Sequence, residues 1–150
     1  MTLTLLLVIL VLAGVGLRRE LRNSLAQLDG TRTLKGLRAP VTVLRDDLGI
    51  PTIRGASRLD VARATGFLHA QDRFFQMDLA RRRAAGELSE LVGDRALVVD
   101  RAIRVHRFRD EARRAVALTT AADRAVLTAY TEGVNDGLRA LAAAPFEYLM

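Results

Sequence analysis

The sequence contains no cysteine and no tryptophan, only three prolines, and one lysine, Lys35, among its 23 basic residues. Without cysteine there is no disulfide, no thiolate metal site and no cysteine nucleophile within these residues. The redox compartment stays open, because many periplasmic proteins also lack cysteine. Aromatic residues make up 5% of the chain while half of it is hydrophobic, so a core must be built from Ala, Leu and Val. The phosphate-cradling patterns G-x-G-x-x-G and G-x-x-x-x-G-K-[ST] are missing. None of Ser24, Ser57 and Ser89 stands in a G-x-S-x-G context or beside an obvious base.

What the chain does have begins with an uncharged apolar run at residues 3–17, LTLLLVILVLAGVGL. Its length falls between the apolar part of an export signal and a spanning helix. Residues 1–17 therefore read as a signal peptide or membrane anchor. No Lys or Arg precedes the run, whereas Arg18, Arg19 and Arg22 follow it. By the positive-inside rule that side would stay cytoplasmic. Gly14-Val15-Gly16 and Ser24-Leu25-Ala26 are poor cleavage signals. Residues 18–39 have little sustained period and read as a linker into a domain spanning 40–150.

Residues 41–46 and 50–55 are short β-branched runs separated by Asp46-Asp47-Leu48-Gly49, which predicts a β-hairpin. Pro51 places the second strand at an edge or a strand start. Ser57 followed by Asp60 is a helix-start signal, and Gly86 a stop, so one long helix is predicted over 58–85. A shorter helical piece is expected over 87–91, ending at Gly93. Residues 96–100 are expected to be a short strand or extended connection, and 102–118 an amphipathic, arginine-rich helix. Thr120 with Asp123 opens a last helix over 121–143, ended by Pro145. The fold class is thus α+β, mostly helical with an N-terminal hairpin.

The densest block of polar groups is at residues 69–93, HAQDRFFQMDLARRRAAGELSELVG, where His69, Gln71 and Asp72 interrupt an apolar face. Buried polar groups need partners. His69 and Asp72 lie three apart on one helix face and could offer two metal ligands, but two do not make a site. The alternative is that His69 packs with one hydrogen bond and Asp72 pairs with a backbone group or an arginine. His106, among arginines, reads as a solvated histidine. Asp46 and Asp47 could suggest acid–base carboxylates, yet a turn explains both. Arg101, Arg104, Arg107, Arg109, Arg113 and Arg114 alternate with Asp100, Asp110 and Glu111. Without an aromatic platform beside them, they suggest a solvated, ion-paired helix face rather than a nucleic-acid surface.

Four stretches then resemble one family. VTVLRDDLGIPTIRG, RLDVARATGFLHAQDRFFQMDLARRRAAGELSELVG, LVVDRAIR and LTAYTEGVNDGL are similar, in order and spacing, to the start of the alpha chain in the penicillin acylase family. The leader followed by LRRELRNSLAQLDGT is similar to the start of exported members. Thr52 stands where many members carry His, and Asp136 where many carry Ala.

That resemblance implies an N-terminal nucleophile amidase of αββα architecture, made as one precursor and cut into alpha and beta chains. The first residue of the beta chain attacks an amide carbonyl with its own α-amino group as base. The implied substrates are N-acylated small molecules, β-lactams or N-acyl homoserine lactones among them. The implied partners are the beta chain of the same precursor and, if the leader is uncleaved, a membrane through residues 3–17; no nucleic acid is expected. The implied location is periplasmic, exported or membrane-anchored. Calcium is implied for the full-length protein. The family's nucleophile, acyl-pocket residues and calcium ligand map beyond Met150, so no catalytic, substrate-binding or metal-binding residue is assigned within the chain. His69, Asp72 and Arg73 match a motif with an implied structural role.

The chain is therefore expected to be an incomplete alpha-chain segment. By itself it is expected to be inactive and to fold poorly, because a lone hairpin makes no stable sheet. A membrane-anchored helical interaction protein and a basic nucleic-acid binder remain as other readings.

Overall fold

A computed structural model describes residues 2–149. Helix α1 (Thr2–Asn23) is followed by an extended segment and the strands β1 (Val41–Arg45) and β2 (Pro51–Gly55). The long helix α2 (Arg58–Ala85) comes next. Three short helices, α3 (Ser89–Val92), α4 (Leu97–Arg104) and α5 (Phe108–Leu118), lead to α6 (Ala121–Ala140). The architecture is α+β, mostly helical with one hairpin, as the sequence predicts.

β1 and β2 pair antiparallel, with Val43 opposite Ile53. The Asp46 carboxylate accepts the backbone N–H groups of Leu48 (3.0 Å) and Ile50 (2.8 Å), and Gly49 takes a positive φ of 78°. Asp46 is thus a turn residue. The second strand begins at Pro51, one residue later than the apolar pattern suggests, because the Ile50 N–H and C=O both serve the turn.

α2 starts and ends where its signals lie. Ser57 Oγ accepts the Asp60 N–H at 3.1 Å and donates to the Asp60 carboxylate at 2.7 Å. Gly86 closes the helix in the left-handed region at φ 68°. Inside it, Arg73 departs from helical geometry at φ −155°, ψ 32°, so the rod is kinked near its middle.

The core lies between α2 and α6, which make the most extensive contact in the fold. Ala64, Phe67, Leu68 and Ala70 supply its buried apolar side chains from α2. Glycines set the separation of the two helices. A Cβ on Gly133 would overlap the Arg63 carbonyl, one on Gly137 the Phe67 carbonyl, and one on Gly66 the Tyr130 carbonyl. Backbones meet there directly, and Gly133 and Gly137 stand four apart on one face of α6.

Two predicted elements differ. Residues 96–100 form no strand; a 3₁₀ turn (Gly93–Ala96) runs into α4. The β-branched pair Val98-Val99 suggested extension, but Asp100 is captured by the turn before α3 and the local preference is overridden. The single helix expected over 102–118 is split at Val105–Arg107, where Arg107 adopts φ 53°. The last helix ends at Ala140 rather than at 143.

At the other end, α1 continues past its apolar run to Asn23, since Arg, Glu and Leu propagate a helix well. Its apolar run, residues 3–17, is followed by Arg18, Arg19, Glu20 and Arg22. Among the described residues no helix is long and apolar enough to cross a membrane. The transmembrane form of the expected anchor is therefore not found there.

Candidate functional site

The polar groups singled out on α2 lie along the surface that the hairpin, the 24–40 segment, α6 and the C-terminal turn share. Each has a specific partner. Gln71 is buried; its amide donates to the Gly137 carbonyl at 3.0 Å and its oxygen accepts the Gln27 N–H at 3.1 Å. One side chain therefore joins three segments.

His69 Nδ1 lies 3.0 Å from the Tyr130 hydroxyl, with the rings edge to face. Asp72 accepts two hydrogen bonds of 2.9 Å from Arg45 of β1. The structure thus separates the two residues that could have been joint metal ligands. His69 faces α6 and Asp72 clamps the hairpin, each with the kind of structural partner the alternative reading gave it.

Arg63 is buried and pairs with both Glu132 and Asp136 of α6. Burial alone would lower its pKa, but the bond and charge of Asp136, then those of Glu132, raise it. Asp136 also binds Arg139 at 2.6 Å.

Farther along α2, the buried Asp78 accepts from Arg81 (2.6 Å), Arg82 (2.8 Å) and the Tyr148 hydroxyl (2.8 Å). Burial would raise the Asp78 carboxyl, yet these three donors outweigh it and bring it down to about 2. The same burial and the same carboxylate push the Tyr148 phenol up to about 12. Phe75 packs edge to face on the Tyr148 ring.

Two more carboxylates are almost fully buried. Asp60 accepts the Arg38 N–H at 2.9 Å, which ties the 24–40 segment to the start of α2. That backbone bond and the Ser57 hydroxyl hold its pKa below the usual range. Asp100 accepts the N–H groups of Leu88 (2.9 Å) and Ser89 (2.7 Å) and the Ser89 hydroxyl (2.6 Å). Burial works against its ionisation, but these bonds still depress its pKa.

These contacts define what the arrangement can do chemically. The Ser24 hydroxyl donates to the Leu21 carbonyl, Ser57 caps α2, and Ser89 is held by Asp100. The carboxylates beside the two latter serines are held ionised by backbone donors, which makes them poor bases. His106 is exposed and stacks on Phe108. Arg107 and Arg113 bind Asp110, Arg109 binds Glu87 and Arg114 binds Glu111, so four of the six arginines on this stretch are ion-paired, while Arg104 donates to the Gly86 carbonyl. No buried side-chain polar atom among the described residues lacks a partner.

Among the described residues no group of three or more His, Asp or Glu side chains could hold a metal ion. Calcium takes six to eight oxygen ligands. The buried carboxylates Asp60, Asp78 and Asp100 are already bound to arginines, hydroxyls and backbone N–H groups. A cavity of about 350 Å³ opens between the 27–37 loop, β1 and α2, lined in part by Leu34, Leu37, Val41, Phe67 and Leu68.

Some of this network was readable. Asp78 stands three and four residues before Arg81 and Arg82, a spacing that pairs charges on a helix. Its third partner, Tyr148, lies 70 positions away and leaves no local signal. The same holds for Arg63 with Asp136.

Comparison with known proteins identifies this scaffold. The sequence model of the penicillin amidase family matches residues 40–150. The chain belongs to that family. It is 41% identical, over 131 residues, to penicillin acylase 2 proenzyme of Pseudomonas sp. (strain SE83), a match covering 87% of this chain and 17% of the relative. It is 34% identical over 114 residues to acyl-homoserine lactone acylase QuiP of Pseudomonas putida, covering 76% of this chain and 14% of the relative. A thermostable penicillin G acylase from Alcaligenes faecalis superimposes with a TM-score of 0.60 at 30% identity, covering 67% of this chain and 53% of that one. The chain thus spans less than a fifth of the length of these two curated relatives.

Proposed function

We propose that this chain is the N-terminal part of the alpha chain of an amidohydrolase that cleaves the linear amide of N-acylated small molecules. The relatives named above are acylases of penicillins and of acyl-homoserine lactones. The observation that carries the reading is the continuous family match over residues 40–150, with 41% identity to one such acylase.

In this reading the nucleophile belongs to sequence outside the chain, at the head of a beta chain that packs on it. It forms an acyl-enzyme, which water then hydrolyses. Two observations support that division. The chain covers only 17% of the acylase it most resembles among those named. Its three serines, His69 and the buried Asp60, Asp78 and Asp100 are committed to local hydrogen bonds and ion pairs. What these residues contribute is a rigid α2–α6 support with a clamped hairpin. Residues 1–17 act as an export leader or anchor, which places the enzyme outside the cytoplasm. Calcium, if the assembled enzyme holds it, is bound by residues other than these.

The test is hydrolysis of a chromogenic phenylacetyl amide and of long-chain and short-chain N-acyl homoserine lactones. The 150-residue chain alone is expected to release no product. Turnover by it would overturn the placement of the nucleophile. The polypeptide encoded by the whole reading frame is expected to be processed and active on at least one of these amides. A processed but inert product would overturn the amidase reading.

A further inference from the structure

β1 pairs with β2 along one edge, and among the described residues no strand pairs with its other edge. The Asp46 N–H donates to the Ile50 carbonyl at 3.2 Å, which sets the alternation of the antiparallel ladder. Leu44 therefore exchanges hydrogen bonds with Thr52, and Thr42 with Arg54. Val41, Val43 and Arg45 turn their backbone N–H and C=O groups outward. No backbone or side-chain group among the described residues bonds these outward groups. The outer edge of β2 is different, because Pro51, opposite Arg45, has no N–H to offer. The cavity of about 350 Å³ follows the free edge of β1: Val41 and Val43 line it from one face of the strand and Thr42 from the other. Across it stands the 27–37 loop. That loop is tied to α2 at both ends, by the Gln27 N–H to Gln71 and the Arg38 N–H to Asp60, yet it makes no hydrogen bond to β1.

We propose that the free edge of β1 receives an extended strand from the part of the precursor outside this chain. A row of unpaired N–H and C=O groups is a template for another backbone, and a helix or a small molecule would leave most of them unbonded. Successive side chains of a strand point to opposite faces. Leu34, Leu37, Phe67 and Leu68 wall the cavity, so the side chains that the incoming strand turns toward α2 are apolar. Those between them share the outer face with Thr42 and Arg54 and are polar. A second copy fits the gap poorly, because it would bring its own 27–37 loop into the same space. The chain spans less than a fifth of its two curated relatives, so most of the precursor lies outside it and can supply the strand. That source rests on the acylase reading; the receptive edge does not.

The test uses the polypeptide encoded by the whole reading frame. Residue-resolved amide exchange compares Val43 with its neighbour Thr42, whose N–H is bonded within the hairpin whatever lies beside it. Both amides are expected to exchange at least about 100-fold more slowly than those of an open peptide. A photoreactive benzoylphenylalanine in place of Thr42 is expected to crosslink to sequence beyond residue 150, with a yield that does not fall on dilution. The proposal is overturned if the Val43 amide exchanges freely. It is also overturned if the crosslink joins position 42 to the 27–37 loop or to a second copy. The two readings fail separately. A product that hydrolyses no amide, yet protects Val43 and gives the expected crosslink, would overturn the amidase and leave the strand addition standing. An active amidase with an open Val43 amide would do the reverse.

Discussion

Gly133 of α6 faces the Arg63 carbonyl of α2 so closely that the only side chain the contact accepts is a hydrogen atom. Neither helix can yield locally, because the obstructing atoms are backbone. Gly133→Ala is therefore expected to destabilise the fold by at least about 2 kcal/mol, in the range of overpacking strain. Gly66→Ala should behave alike, for the same reason at the Tyr130 carbonyl. Gly14→Ala, with nothing within 4 Å of the added carbon, should leave stability unchanged. Urea unfolding followed by circular dichroism, in a mild detergent that covers α1, compares the three.

The Asp78–Tyr148 pair makes stability depend on pH at both extremes. The Asp78 pKa is depressed to about 2, so the unfolded chain binds a proton first as acid is added. Its contribution is complete above the unfolded value near 4 and is lost as pH falls toward 2. For Tyr148 the folded pKa is raised to about 12, so its contribution is complete below about 10 and is lost as pH rises through 12. Asp78→Asn should flatten the acid limb of a stability–pH curve. In the wild-type chain an ultraviolet titration should show a phenol ionising near 12, and Tyr148→Phe should abolish that step.

The clamp between Arg45 and Asp72 can be isolated by a double-mutant cycle. Both side chains are largely shielded, at 15% and 19% exposure, and the contact is a pair of 2.9 Å bonds to one carboxylate. Arg45→Ala and Asp72→Ala are expected to couple by about 1–2 kcal/mol, more than an exposed ion pair would. Amide exchange in the hairpin should quicken in either single variant. Independent effects of the two changes would show that the hairpin is held by its apolar contacts alone.

Asp100 organises a turn rather than a reaction. Asp100→Ala leaves the Leu88 and Ser89 N–H groups without their acceptor. Those two amides are expected to lose exchange protection, and protease cutting between α2 and α4 to increase. Amides in the middle of α6 should keep their protection. Equal loss throughout the molecule would instead mean that the turn and the α2–α6 core unfold as one unit.

The limits of α2 were legible because they rest on neighbours in sequence: Ser57 with Asp60 at one end, Gly86 at the other. The same is true of the Asp46 turn and of the Thr120 cap, which accepts the Asp123 N–H at 3.1 Å. The errors arose where distant groups decide. Leu97-Val98-Val99 reads as a strand until Asp100 is claimed by Leu88 and Ser89. The break before α5 depends on a left-handed Arg107, a conformation no local pattern announces. At the candidate site, residue types showed that His69, Gln71 and Asp72 needed partners. That these would be Tyr130, Gly137 with Gln27, and Arg45 required the fold. The roles of Arg63 and Tyr148 were invisible for the same reason, their partners lying 73 and 70 positions away.

Gln71 also carries an order of events. Its first partner, Gln27, precedes it by 44 residues, and its second, Gly137, follows by 66. At roughly 5–20 residues per second, a ribosome needs about 3–13 s to add those 66 residues after Gln71 is joined. Through that interval the amide lacks the acceptor it will have in the finished core, and α2 has no α6 to lie against. The growing chain must pass those seconds with its longest helix uncovered, a window in which a chaperone has something to hold.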